Sequence, residues 1–218
     1  AVDPVGLGKM LDNLRRSLLA PFLLASLGVS WLLPRPEAKM AILLVLATLA
    51  IPAFLPAVFT VMPRRSGLLV RRHLRMLAGD LRLAVLQVAF SLAFLPDHAW
   101  RMLDAIVRTL VRLLVTRRKL LEWTTAAQSA QAPRLDVQGF YRQMAGGTAL
   151  GLAMTVAALS VAPASWPLVL PFVLLWLAAP WLALWASRSP AVARPATIEP
   201  DQADQLRLIA RRTWRFFE

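Results

Sequence analysis

With 58% apolar side chains in 218 residues, the chain lies well above the roughly 45–50% of water-soluble domains, which excludes a soluble globule as its class. Twenty-five Lys plus Arg against 12 Asp plus Glu leave +13, a balance that seeks an anionic surface, either nucleic acid or phospholipid headgroups. The long uncharged runs decide for membrane lipid and against nucleic acid, and the lack of Cys removes disulfides, thiolate catalysis and Cys-based zinc sites. His73 and His98 are the only imidazoles, so no metal or other cofactor is expected to bind here.

The chain starts at Ala1 without Met and stops inside WRFFE, which suggests a piece of a longer protein. Its start lacks the pattern of a signal peptide. No charge occurs from Ser17 to Leu33 or from Met40 to Met62. Each run approaches or exceeds the length that crosses about 30 Å of hydrocarbon. The short PRPEAK connection, Pro34 to Lys39, makes them antiparallel, so residues 1–62 form a first transmembrane hairpin with spans near 17–33 and 40–62. Pro52 and Pro56 should kink the second of these.

Residues 63–142 carry most of the cations, and the rule that Lys- and Arg-rich loops stay inside places this segment on the cytoplasmic face. From Ser66 to Gly79, Arg71, Arg72 and Arg75 oppose Leu69 and Leu77 in a short amphipathic stretch. Leu83 to Pro96 offers only 14 uncharged residues, short of the roughly 17 that span, and is expected in the interface, with a crossing as the alternative. A helix over Asp97 to Leu121 would put Asp97, Arg101, Asp104, Arg108, Arg112 and Lys119 on one stripe. Leu103, Ile106, Leu110, Leu113, Leu114 and Leu120 fall opposite. Asp97, following Pro96, is expected as its N-cap, with Asp97/Arg101 and Asp104/Arg108 as i, i+4 pairs.

The stretch TRRKLLEWTTAAQ at 116–128 ends this helix. There Arg117, Arg118 and Lys119 should face lipid phosphates or an adjoining domain, Trp123 should lie in the headgroup layer, and Glu122 should pair with Arg118. A lone carboxylate does not supply the acid and base that glycoside hydrolysis needs.

From Gln143 to Ser187 no charge occurs, and APASWP at 162–167 breaks the run into a second hairpin over 143–187, with spans near 144–162 and 167–187. Pro171 and Pro180 should kink the last span. Gly147 and Gly151 form a GxxxG that would let helices approach closely. Trp31 and Trp166 fall at outer ends and Trp181 and Trp185 near an inner end, as an aromatic belt would. Residues 188–218 read as a linker and the start of a following cytoplasmic module. The fold class expected is therefore all-α and integral to the membrane: four transmembrane helices in two hairpins, plus amphipathic interfacial helices on the cytoplasmic side, with both ends cytoplasmic.

Three stretches together, LDNLRRSLLAP at 11–21, LVTRRKLLEWTTAAQ at 114–128 and LRLIARRTWRFFE at 206–218, resemble the membrane region of bacterial cyclic β-1,2-glucan synthases. The resemblance implies a glucosyltransferase domain before this segment and a glycoside-phosphorylase-like module after it. It also implies UDP-glucose as substrate, a divalent metal in the upstream domain, the bacterial inner membrane as location, and an exporter for the finished ring. The family's catalytic motifs belong upstream, so no catalytic residue carries over to this sequence. The function expected is a membrane anchor that aligns catalytic modules of the same polypeptide. A glucan-translocating module, or an unrelated permease or signalling domain, is the alternative.

Overall fold

A computed structural model describes residues 3–61, 70–117, 136–188 and 200–217, and the described residues are helical with short breaks. Helix α1, Pro4–Ser30, opens with proline at its first position, where a missing N–H costs nothing. Its first half is polar, with Asp12 accepting from Arg15 at 2.9 Å and from Arg16 at 2.8 Å. The helix tightens at its end through bonds from Trp31 N to Gly28 O and from Leu32 N to Val29 O, and Pro34 then stops it. Helix α2, Arg35–Val61, continues through Pro52 and Pro56. Nearby, Thr48 and Thr60 hydroxyls donate to the carbonyls of Leu44 and Pro56.

Helix α3 runs unbroken over Val70–Ala93 and α4 over Leu95–Val111, with Phe94 between them at φ −93°, ψ 4°. A π turn, Arg112–Thr116, ends this part, and Arg117 follows in the left-handed region at φ 49°. Helix α5, Val137–Gln143, is capped by the Asp136 side chain, which accepts from Gly139 N at 2.7 Å. After a 62° bend at Met144 comes α6, Ala145–Val161, then a 3₁₀ turn, Pro163–Ser165, and α7, Trp166–Ser187.

The chain divides into two compact units, 1–185 and 186–218. In the first, the core forms where the helices converge. It takes Leu23, Leu24, Leu27 and Trp31 from the end of α1, Ile42 and Val45 from α2, Leu95 and Ala99 from α4, and Val169, Phe172 and Trp176 from α7. Large apolar side chains also cover its outside, among them Leu44 at 70%, Ile51 at 64% and Val156 at 68% exposure. The second unit contains α8, Pro200–Trp214, in which Arg207 and Arg211 lie four residues apart and Arg207 pairs with Asp204 at 3.1 Å.

Three described stretches, Arg35–Val61, His73–Ala93 and Pro163–Ser187, are helical, long and apolar enough to cross a membrane; α5 with α6 is a fourth if the bent pair counts as one. This set differs from the one drawn by counting uncharged residues. Helix α1 is not in it, because charged Lys9 to Arg16 occupy its first half. The Leu83–Pro96 stretch is not a separate short element: most of it is the end of the 24-residue α3. The helix expected over Asp97 to Leu121 begins two residues earlier, and its regular α form ends at Val111.

Candidate functional site

Polar chemistry enters the core at the break between α3 and α4. Pro96 lies in the first turn of α4 and has no N–H to give the carbonyl four residues back, that of Leu92. The indole N–H of Trp176, from α7, donates to that carbonyl at 3.1 Å and takes the missing donor's place. Asp97 follows, only 8% exposed. Its Oδ2 accepts from Arg101 Nε at 2.7 Å, and Arg101 carries the charge outward to a half-exposed position. The other oxygen, Oδ1, is shielded from solvent and has no partner among the described residues.

The structure thus corrects the expected cap. Asp97 sits inside the first turn, while Phe94 holds the capping position without a side-chain bond. The reason is Pro96, whose fixed φ and missing N–H suit the first turn of a helix, so that α4 begins ahead of it at Leu95.

Glycines of α6 let α4 come this close. A Cβ on Gly147 would lie 2.4 Å from Asp97 Cα, and one on Gly151 would lie 2.8 Å from Trp176 Cε3 and 3.3 Å from Pro96 Cγ. A Cβ on Gly146 would meet the Trp100 indole at 2.2 Å. Between Asp97, Thr148, Met144 and Trp176 remains a cavity of about 10 Å³, room for one water at most. The Trp176 ring lies 5.9 Å from that of Trp31 and 6.3 Å from that of Phe172. Tyr141 OH donates to Leu177 O at 3.0 Å and ties α5 to α7.

Of the cations singled out in the sequence, Arg71 and Arg75 are exposed on the first turns of α3. Arg72 lies in the same helix. Arg101 and Arg108 pair with Asp97 and Asp104 at 2.7 Å, Arg112 opens the π turn, and Arg117 ends it, exposed. Arg118, Lys119, Glu122 and Trp123 lie outside the described residues. Gly147 and Gly151 are both buried in the contact with α4 and α7.

Trp31 departs from the belt drawn for it: it is fully buried, with no partner for its Nε1 among the described residues, whereas Trp166, Trp181 and Trp185 are more than half exposed. Trp176, central to the site, escaped the sequence reading. The signal for it was a tryptophan at mid-span, far from either end of an apolar helix, where an indole N–H needs a protein acceptor.

Chemically the site offers one backbone carbonyl that links α3 to α7 and one carboxylate paired within α4, with the glycines of α6 packed against them. Among the described residues no three His, Cys, Asp or Glu side chains are grouped so as to hold a metal ion. No protein-family model matches the chain. It is 37% identical over 216 residues to the cyclic beta-(1,2)-glucan synthase NdvB of Rhizobium meliloti (strain 1021), a match covering 98% of this chain and 8% of that protein. The chain spans less than a tenth of that relative's length. By this likeness, which covers the three stretches that suggested it, the chain is a homologue of one segment of a cyclic β-(1,2)-glucan synthase.

Proposed function

We propose that this segment anchors a cyclic β-1,2-glucan synthase in the bacterial inner membrane and aligns cytoplasmic catalytic modules of the same polypeptide at its surface. Catalysis, with UDP-glucose as substrate and a divalent metal as cofactor, belongs on this reading to flanking domains, and the ring leaves through an exporter. The observation that carries the proposal is the outward-facing apolar surface of α2, α6 and α7, with Leu44, Ile51, Val156 and Leu174 more than half exposed. In water such faces would drive aggregation, whereas acyl chains cover them at no cost.

Cations are absent from the middles of these helices and gather in α3, α4 and the first half of α1. There Arg71, Arg72, Arg75, Arg101, Arg108, Arg112, Arg117, Arg118 and Lys119 would meet anionic headgroups, with Trp123 in the same layer. Each such cation contributes about 1 kcal/mol near a charged leaflet.

The test is the full-length protein with residues 1–188 deleted or replaced by an unrelated four-span anchor. Deletion should move the protein from the membrane fraction to the soluble one. The unrelated anchor should restore membrane residence, and glucan formation from UDP-glucose should persist. Loss of glucan formation with both variants, despite folded flanking domains, would overturn the anchoring role. Passage of glucan into sealed vesicles without an exporter would favour translocation instead.

A further inference from the structure

We infer that α3 and α4 form a re-entrant hairpin: α3 enters the bilayer, turns near mid-depth at Phe94–Pro96, and α4 leaves by the face through which α3 came in. The inference rests on the membrane reading above and goes beyond it, because α3 alone is long and apolar enough to be taken for a complete span.

Contact registers carry the argument. Along α3, the Phe90 ring packs 6.5 Å from Trp185 near the end of α7, whereas Leu92 O is reached by Trp176 in its middle. Helix α3 itself packs along α2, and its last residues reach α7 no farther than the mid-helix Trp176. At 1.5 Å per residue, Trp176 lies about 16 Å from the end of α7, roughly half of a 30 Å hydrocarbon layer. Along α4 the order reverses: Pro96 faces Gly151, Asp97 faces Gly147 and Trp100 faces Gly146. Helix α4 thus descends α6 toward its N-terminal end.

Helices α6 and α7 are joined by the 3₁₀ turn Pro163–Ser165, and Gly151 of α6 lies against the ring of Trp176, so the two run antiparallel with the start of α6 toward the C-terminal end of α7. The start of α6 and the end of α7 therefore lie at one face. Both free ends of the α3–α4 hairpin point to it.

Charge and hydrogen bonding agree with this placement. Arg82 precedes Leu92 by ten residues, about 15 Å of helix, which sets it level with the end of α7 and the earlier cations of α3 beyond that level. At the tip, where lipid offers no donors, Leu92 O has the Trp176 N–H, Phe94 N bonds Phe90 O at 2.9 Å, and His98 N bonds Phe94 O at 2.9 Å. Asp97 descends with its own counter-ion, Arg101, one turn closer to the surface.

Single-cysteine labelling in the full-length protein tests this, with the unsubstituted protein as background, since this segment contains no Cys. Arg75→Cys and Val115→Cys mark the two ends of the hairpin; Arg35→Cys and Ala164→Cys mark the two connections expected on the other face. All four positions are exposed, so folding should survive. Positions 75 and 115 should react with a membrane-impermeant thiol reagent from one side, and 35 and 164 from the other. Reaction of 115 together with 35 and 164, but opposite to 75, would make α3 a full span and overturn the hairpin. Reaction of all four from one side would overturn the membrane-spanning reading and the hairpin with it.

A nitroxide-quenching measurement on a fluorophore at His98→Cys then reads depth. Mid-chain quenchers should act at least twofold more strongly than headgroup quenchers, and the reverse order would place the hairpin on the surface instead.

Discussion

Helices α2 and α3 look alike by length and apolar content, yet they are built for different ends. In α2 the charges Arg35, Glu37 and Lys39 crowd into the first turns and the remaining residues through Val61 are uncharged. In α3 Arg71 to Arg82 occupy the first half, and the apolar second half stops against the middle of α7. The contrast teaches that hydropathy measures whether a helix tolerates lipid; only its register against neighbours tells how far it goes. What halts α3 is local: Phe94 leaves helical geometry, Pro96 withdraws a donor, and the Gly147–Gly151 face of α6 accepts the turn.

The largest effect on this contrast should come from Gly147→Ala. The new methyl would press on the Asp97 backbone, which cannot swing aside as a side chain could. Overpacking of about 1–3 kcal/mol is expected, reduced by up to about 1 kcal/mol of helix propensity. Gly28→Ala is the control, because its methyl would meet only the flexible Met154 side chain, with Sδ at 2.7 Å. It should be neutral within about 0.5 kcal/mol. Thermal midpoints in detergent check both, and equal losses would mean that α4 does not pack on Gly147 as described.

A smaller and more diagnostic effect belongs to Trp176→Phe, which keeps most of the ring but strands the Leu92 carbonyl. The cost should be about 0.5–1.5 kcal/mol, the net worth of one hydrogen bond. Pro96→Ala restores to Leu92 a donor from its own chain, so the tryptophan substitution should cost measurably less in that background. The four proteins of this cycle, unfolded in mixed micelles, give the coupling. A cost unchanged by Pro96→Ala would show that ring packing, not the carbonyl, matters.

The smallest effect lies far from the hairpin, in the polar half of α1. Hydrogen bonding from Arg15, and then from Arg16, holds the Asp12 carboxyl below the usual carboxylate range. A lowered folded-state value means that the contribution is present above the ordinary carboxylate pKa, near 3.9, and is lost as pH falls through the folded value. Asp12→Asn should therefore slightly reduce helix content at pH 6 and make no difference under strong acid. A difference that persisted in acid would assign the effect to something other than these pairs.

Much of this was legible in the sequence. The turns at PRPEAK and APASWP, the apolar runs of α2 and α7, and the Asp97/Arg101 and Asp104/Arg108 pairs follow from charge spacing and proline. The extent of α3 was not, because counting uncharged residues stops at Arg82, whereas a helix continues through an arginine that can reach water. Nor was burial of Trp31, since a tryptophan at the end of an apolar run has the same sequence signature whether it faces lipid or a neighbouring helix. Trp176 and Gly147 depend on contacts between segments far apart in the chain, which periodicity within one helix does not encode.

Timing follows from the Leu92–Trp176 bond. The acceptor is synthesised 84 residues before its donor, so while the chain is being made the hairpin tip has no indole to satisfy it. On the re-entrant reading, the α3–α4 pair would wait in the wet headgroup layer, where water can serve the carbonyl, until α7 is in place. Seating of the hairpin is on this account among the last steps in assembling the segment, and the tryptophan acts as the latch that closes it.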